Sequence, residues 1–397
     1  MTAQIEHIKP DTGFIKQITS LGGESLKKCF QCGTCSVACS LSPQEKPFPR
    51  KEMIWAQWGL KDRLLKDPDI WLCHQCNDCS SKCPRGAKPG DVLAAIRNYS
   101  ITYFAAPKFL SQAFSKLRYL PIFIAVPAVI FLTLFLLANG GFNFPEGEVV
   151  FSNLVPYAFV GSATSLATVF AAIIAAIGLH RFWKNISESE INMTSTPKNP
   201  VAAQTKKNLL RNFGLSLIDI LKHNKFAQCE TNKIRYFAHL GMLYGFILVL
   251  LSHMGIGLYL MAGIYQLKGE DSFPSLLDPF VMIGNIGFVF LLTGCLLVIY
   301  NRLSKNGNAG KTTYFDWFFI ALLSSVTVAG ILVEATRIAQ MVNSAYTLWL
   351  IHEVLVFSLI AYMPFSKFAH LLYRTLAMTY ARQIGREATT DSVMETL

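Results

Sequence analysis

Residues 29–39 read CFQCGTCSVAC and residues 73–84 read CHQCNDCSSKCP. The cysteines are Cys29, Cys32, Cys35 and Cys39 in the first run and Cys73, Cys76, Cys79 and Cys83 in the second, at the same internal spacing. Three closely spaced thiolates wrap one face of an iron–sulfur cube, and the fourth cysteine of each run reaches the other cube. The pattern predicts two [4Fe–4S] clusters: cluster 1 on Cys29, Cys32, Cys35 and Cys83, and cluster 2 on Cys73, Cys76, Cys79 and Cys39. A single C-x-x-C reads equally as zinc or a redox disulfide, but two complete runs do not, because zinc sites take four ligands at other spacings. Pro84 follows Cys83 whereas Ser40 follows Cys39; proline is not a ligand, so the set stands.

Around these runs the chain reads as helix. FIKQITSLG precedes the first run and ends at Gly22 and Gly23. The second run begins 34 positions after Cys39, a wide gap filled by RKEMIWAQWGLKDRLL, with Met53, Ile54, Gln57 and Leu60 at helical spacing. GDVLAAIRNYSITYF follows Cys83 and starts with Gly90 and Asp91. The expected first unit is therefore a helical ferredoxin domain over residues 1–105. His74 and Lys82, beside cluster ligands, are read as tuning charge or facing solvent. Cys229 and Cys295 are read as ordinary buried or interfacial thiols.

The rest of the 397 residues has a different balance. The chain is 52% hydrophobic and only 15% charged, yet carries a net charge of +11. The basic residues fall between apolar runs, which is a membrane-topology signature rather than a nucleic-acid stripe. After a short basic connector at 105–117, six apolar segments approach the roughly 20 residues that span a bilayer: 118–138, 154–179, 236–263, 279–300, 315–340 and 346–373. Together they make 106–397 a predicted transmembrane domain. Residues 1–28 are mixed polar and lack the apolar core of a signal peptide, so the cysteine domain is expected in the cytoplasm. The alternate loops then obey the positive-inside rule. The stretches 139–153 and 341–345 have no Lys or Arg and 264–278 has only Lys268, whereas 180–235 is rich in both, 301–314 carries Arg302, Lys305 and Lys311, and the tail carries Arg374, Arg382 and Arg386. Both termini are thus expected on the cytoplasmic side of an inner membrane. Within 180–235, KKNLLRNFGLSLIDILKH places Leu209, Leu210, Phe213, Leu217, Ile220 and Leu221 on one face with basic residues opposite. That pattern suits a helix in the headgroup plane, or one that docks a partner.

Ionisable residues inside spanning helices are rare and functional by default. The third segment holds His239 and His253, and the sixth holds His352 and His370. Fourteen residues of helix rise about 21 Å and eighteen about 27 Å, and both spacings return near the same face. Antiparallel packing would set His239 level with His370 near the cytoplasm and His253 level with His352 near the outside. That arrangement predicts two bis-histidine b haems, with Pro364 kinking the sixth helix. His7, His180 and His223 are read as surface or interface residues. Glu334 and Arg337 form an ion pair or, with Glu353 and Lys268, a quinone headgroup site.

Residues 1–100, with both runs and the helical insert, resemble the helical-ferredoxin C-subunit of heterodisulfide reductases. Residues 150–375, with the histidine pairs, resemble the cytochrome b gamma subunit of respiratory nitrate reductases and the cytochrome b of membrane heterodisulfide reductases. The combination resembles the membrane C-subunit of the quinone-interacting membrane-bound oxidoreductase complexes. That resemblance implies an all-α electron-transfer protein that passes electrons from menaquinol, through two b haems and two [4Fe–4S] clusters, to two soluble flavin and iron–sulfur partner subunits and on to adenylylsulfate reductase. A heterodisulfide-reductase-like module serving a thiol–disulfide partner, and a membrane anchor with structural clusters, are the alternatives. No Gly-rich dinucleotide fingerprint is present.

Overall fold

The computed structural model describes residues 9–43, 47–191, 209–263, 275–304 and 310–386, and among them there is no β-strand. The first helices are short and locally capped. In α1 (Thr12–Ile18) the Asp11 carboxylate accepts the Phe14 N–H at 2.8 Å, relieving one orphan donor of the helix start. The insert between the cysteine runs folds as α2 (Arg50–Gln57), α3 (Lys61–Leu65) and α4 (Asp69–Leu72). The longer α5 (Pro89–Phe104) starts on proline, where a missing N–H costs nothing.

Six helices are long and apolar enough to cross a membrane. Their helical bodies are α6 (Leu120–Asn139), α7 (Tyr157–Ile191), α9 (Lys233–Met261), α10 (Pro279–Leu303), α11 (Tyr314–Ile338) and α12 (Val342–Ala361). The amphipathic α8 (Leu209–Lys222) precedes α9, and α13 (His370–Gln383) follows α12. The closest helix pair is α9 with α10. A Cβ on Gly245 would stand 2.5 Å from the Leu291 nitrogen, and one on Gly294 would stand 2.6 Å from that of Met242. Without a hydrophobic drive between helices in lipid, such small-residue stripes allow the backbone approach that holds them together.

Three sequence expectations change. The segment 346–373 is not one helix. It breaks after Ala361 into the short turns Met363–Phe365 and Lys367–Ala369, and Ser366 is extended with its hydroxyl accepting the Phe368 N–H at 3.2 Å. Pro364, lacking an N–H, cannot continue α12. His370 is therefore the first residue of a new helix, and the eighteen-residue face argument does not apply to it. The segment 154–179 is longer than expected: α7 continues to Ile191 because Phe182 and Ile186, both fully buried, pack into the N-terminal core. In α8 the apolar Leu209, Leu210, Phe213, Leu217, Ile218 and Leu221 are exposed, as a membrane-surface helix requires. Its buried strip, however, is polar rather than basic: Asn212 and Ser216 face inward, Ser216 accepts from Arg382 at 3.2 Å, and Asp219 pairs with the same guanidinium.

The core does not stop at residue 105. One contiguous cluster runs from Phe14, Ile18, Met53, Ile70 and Trp71 through Ile101 and Phe104 to Phe182, Tyr362, Phe365 and Tyr373. The 105–117 connector is part of it. Phe114 is buried with ring neighbours Phe318 at 4.8 Å, Phe123 at 5.2 Å and Tyr362 at 5.7 Å. Phe114→Ala is expected to cost about 3–5 kcal/mol, seen as a lowered thermal midpoint; an unchanged midpoint would mean that the two parts fold independently.

A buried charge cluster also joins the ends of the chain. Lys51 lies 2.9 Å from Asp67 and 2.8 Å from Asp69, and the Arg386 guanidinium donates to Asp69. Glu52 is fully buried and has the Lys51 ammonium 3.2 Å away. Burial, reinforced by the Asp67 carboxylate, holds the Glu52 carboxyl well above its ordinary value of 4.5. The folded chain thus keeps a proton that the unfolded chain releases, so this contribution is full below 4.5 and is lost as pH rises through the raised value. Glu52→Gln is expected to gain stability relative to the parent as pH rises above the ordinary value of 4.5; parallel pH profiles would contradict this.

Candidate functional site

The two cysteine loops share a backbone as well as a spacing. Gln31 and Gln75 precede the second cysteine of their runs with φ of 61° and 53°, and Gly33 and Asn77 follow it with φ of 86° and 70°. Single helical turns, Thr34–Val37 and Asp78–Ser81, then begin at equivalent positions. Left-handed residues on both sides of a cysteine curl the chain and turn backbone N–H groups toward one centre, an arrangement suited to anionic sulfur. Gln75 N–H points at Cys73 Sγ at 3.3 Å, and the Gln31 side chain donates to Cys29 Sγ at 3.4 Å.

The fold brings the thiols into two groups. Cys29 lies in the field of Cys83 and Cys32, and Cys35 in that of Cys29 and Cys32. Cys39 lies in the field of Cys73 and Cys76, and Cys79 in that of Cys73, Cys76 and Cys39. Burial, with neighbouring sulfurs adding, pushes the Cys35 thiol up to about 11 and that of Cys39 up to about 12. Thiols crowded in this way ionise readily only around a cation, which inverts the local balance. Cys39, Cys73, Cys76 and Cys79 ring a cavity of about 20 Å³ floored by Phe48 and Leu93. Cys229, read above as an ordinary thiol, joins this group. The ligand atoms of Cys76, Asp78 and Cys229 lie within 4.8 Å of one another. Asp78 also accepts the backbone N–H groups of Glu230 at 3.2 Å and Thr231 at 2.9 Å, which ties the foot of α9 to the cluster-2 loop.

Next to that loop is a larger cavity of about 240 Å³, lined by Cys73, His74, His223, His239, His370 and several arginines. The rings of His239 and His370 have centroids 6.3 Å apart, room for one metal atom bonded about 2 Å from a nitrogen of each. The tautomers follow from the hydrogen bonds. His223 Nδ1 faces the Leu221 carbonyl at 3.3 Å and donates to it, so its Nε2 accepts from His239 Nδ1 at 2.8 Å. His370 Nδ1 donates to the Lys367 carbonyl at 2.6 Å. His239 and His370 each keep the Nε2 lone pair for a metal, the arrangement metal-ligating histidines adopt. Arg97 and Arg374 both donate to the Cys73 carbonyl, at 3.1 and 3.2 Å, and Arg374 also reaches His74 Nε2 at 2.8 Å. Phe226 stacks on His74 at 5.3 Å. One cavity thus touches Cys73 of the second cysteine run and the His239–His370 pair.

His253 and His352 share some of these features. His253 on α9 donates Nδ1 to the Val249 carbonyl at 2.8 Å, again leaving Nε2. His352 is buried, its Nδ1 has no hydrogen-bond partner among the described residues, and it lies in the field of His253. Gly330 makes room for it, since a Cβ there would stand 3.1 Å from His352 Cε1. An orphaned buried nitrogen on a ring that lies in the field of a second histidine fits a metal-bound group. Of the quinone candidates, Glu334 accepts from Asn285 at 3.1 Å, and Arg337 lies in the fields of Glu334 and Tyr157. Tyr157 in turn faces Arg337 and Glu353. Lys268 lies outside the described residues.

Residues 114–391 match the family described as Citrate utilization protein B. The chain belongs to the citrate utilization protein B family. Residues 25–87 match the 4Fe-4S dicluster domain, which spans both cysteine runs. The chain is also 42% identical over 89 residues to the C-subunit of the H(2):CoB-CoM heterodisulfide,ferredoxin reductase of Methanothermobacter marburgensis, covering 22% of this chain and 48% of the relative. It is 39% identical over 89 residues to the heterodisulfide reductase C-subunit-like protein of Archaeoglobus profundus, covering 22% and 47%. The chain spans about half the length of the curated relatives it matches. No solved structure matches. Residues 150–375, likened above to cytochrome b subunits, fall within the citrate utilization protein B match.

The sequence reading missed His223, Cys229, Tyr157 and Asn285. The signal for His223 was present: it ends the amphipathic stretch next to the segment that carries His239. Nothing in the spacing pointed to Cys229, whose partner Cys76 is distant along the chain.

Proposed function

We propose that this chain is a membrane electron conduit, in which carriers held by its histidines and cysteines link menaquinol to two soluble flavin and iron–sulfur partner subunits and, through them, to adenylylsulfate reductase. The observation that carries the reading is the His239–His370 pair, tautomerically fixed and 6.3 Å apart, on a cavity that also reaches Cys73. Haem b at the two histidine pairs and [4Fe–4S] clusters on the two cysteine groups would supply one-electron chemistry. The protein positions these carriers. His223 and the Lys367 carbonyl orient the inner pair, and Arg97 and Arg374 hold the Cys73 backbone against it. Cys73 places cluster 2 beside the membrane cavity, whereas Cys32 of cluster 1 is exposed, which gives the order inner haem, cluster 2, cluster 1, partner. Tyr157, Glu334, Arg337 and Glu353 would bind quinol and take its protons at the outer pair. The cysteine domain and both termini would face the cytoplasm.

The family description favours a second reading with the same parts, in which the soluble partner acts on a carboxylic acid such as citrate. The relatives' names favour a third, a partner that handles a thiol–disulfide pair. The soluble proteins that copurify decide between them. For the haem assignment, His253→Ala is expected to remove one b-type haem's absorbance and spare the iron–sulfur signals; two intact haems in that variant would overturn it.

A further inference from the structure

The surface around cluster 1 has a composition of its own. Cys32 is exposed at the tip of its loop, and Phe30 and Val37 beside it are 66% and 90% exposed. Among the described residues neither side chain belongs to a hydrophobic core cluster. Six exposed cations surround them: Lys27, Lys28, Arg50, Lys82, Arg85 and Lys88. The Arg85 guanidinium lies 4.2 Å over the Phe30 ring, and the Arg50 side chain passes 3.8 Å from where a Cβ of Gly33 would stand. Residues 27–37 and 82–88 contain no Asp or Glu. The Lys88 backbone N–H donates to Ser25 at 2.9 Å, which joins the two basic stretches into one face.

A small apolar centre within a charged rim is the anatomy of a protein interface. Redox encounters use areas below about 1,200 Å² and rely on opposite charge for steering. We infer that this face docks an acidic redox protein that exchanges electrons at cluster 1. The inference rests on the electron-conduit reading and adds to it the face and the charge of the partner. Cluster 1 is the better exit, since its Cys32 is exposed, whereas no cysteine of the cluster-2 group is exposed and Cys73 lines the membrane cavity.

The test uses the full chain in detergent with clusters in place, and a plant-type [2Fe–2S] ferredoxin as the acidic probe. Binding is measured at about 20 mM and about 300 mM salt, which changes the screening length severalfold. Expected are affinity at least about tenfold weaker at the higher salt, a similar loss at low salt in the double variant Lys28→Glu/Arg85→Glu, and about a threefold or greater loss in Val37→Ser. Lys184→Glu, an equal charge change on an exposed residue of α7, should leave binding within about twofold, and basic cytochrome c should not bind. Ferredoxin binding that ignores the cluster-1 variants, or falls equally in Lys184→Glu, would overturn the docking face. Separately, the dithionite-reduced clusters are reoxidised with ferricyanide: clusters that never change redox state sink the conduit reading itself, whatever the probe does.

Discussion

His370→Ala is expected to remove one of two b-type haem signals and to slow quinol-driven reduction of the iron–sulfur clusters by at least about a hundredfold, with both cluster signals intact. Disturbing even the partner of a ligating histidine costs about 10–100-fold, and losing the ligand costs more. His370 heads α13, and its Nδ1 is fixed by the Lys367 carbonyl in the turn that breaks the last membrane segment. That turn delivers the ring to His239, so alanine removes a ligand without removing the helix. The Cys73 loop is held separately, by Arg97 and Arg374, which is why the clusters should survive. Haem spectra and stopped-flow cluster reduction check this; unchanged haem content would move the ligand to His223 or away from the cavity.

Cys73→Ala should have the second large effect. It takes one ligand from the group Cys39, Cys73, Cys76 and Cys79, and about half the cluster iron should be lost, with cluster 1 retained. Quinol would still reduce the haems, but reduction of cluster 1 through the chain should fall by more than about a hundredfold. Arg374→Ala should fall between this variant and the parent, since it frees the Cys73 carbonyl and His74 from charge-assisted bonds worth about 1.5–3 kcal/mol each. Iron analysis and low-temperature paramagnetic resonance distinguish the outcomes. Full cluster iron in Cys73→Ala would assign the fourth site to Cys229, which already sits beside Cys76.

Cysteine spacing carried the cluster domain from sequence to structure because a cube fixes the separation of its ligands, whatever surrounds it. Apolar runs of bilayer length located the six membrane helices for the same kind of reason. The break at Tyr362–Ala369 was harder to see, since Pro364 signals a kink and a full re-entry into a new helix equally well. The extension of α7 depended on Phe182 and Ile186 finding a core built by Trp71, Phe104 and Tyr373, which no local pattern shows. The bond from His239 to His223 and the approach of Cys229 to Cys76 are tertiary facts of the same kind. So is the core shared by the cysteine runs' helices and the membrane helices.

The central claim is tested most directly by adding a short-chain menaquinol analogue, without oxygen, to the oxidised purified protein and following haem absorbance and cluster resonance together. The account predicts rapid reduction to a bis-histidine b-type spectrum, followed by the signal of a reduced [4Fe–4S] cluster. A protein with no haem, or haems that reduce while the clusters stay oxidised even with their potentials within reach of the quinol, would contradict it.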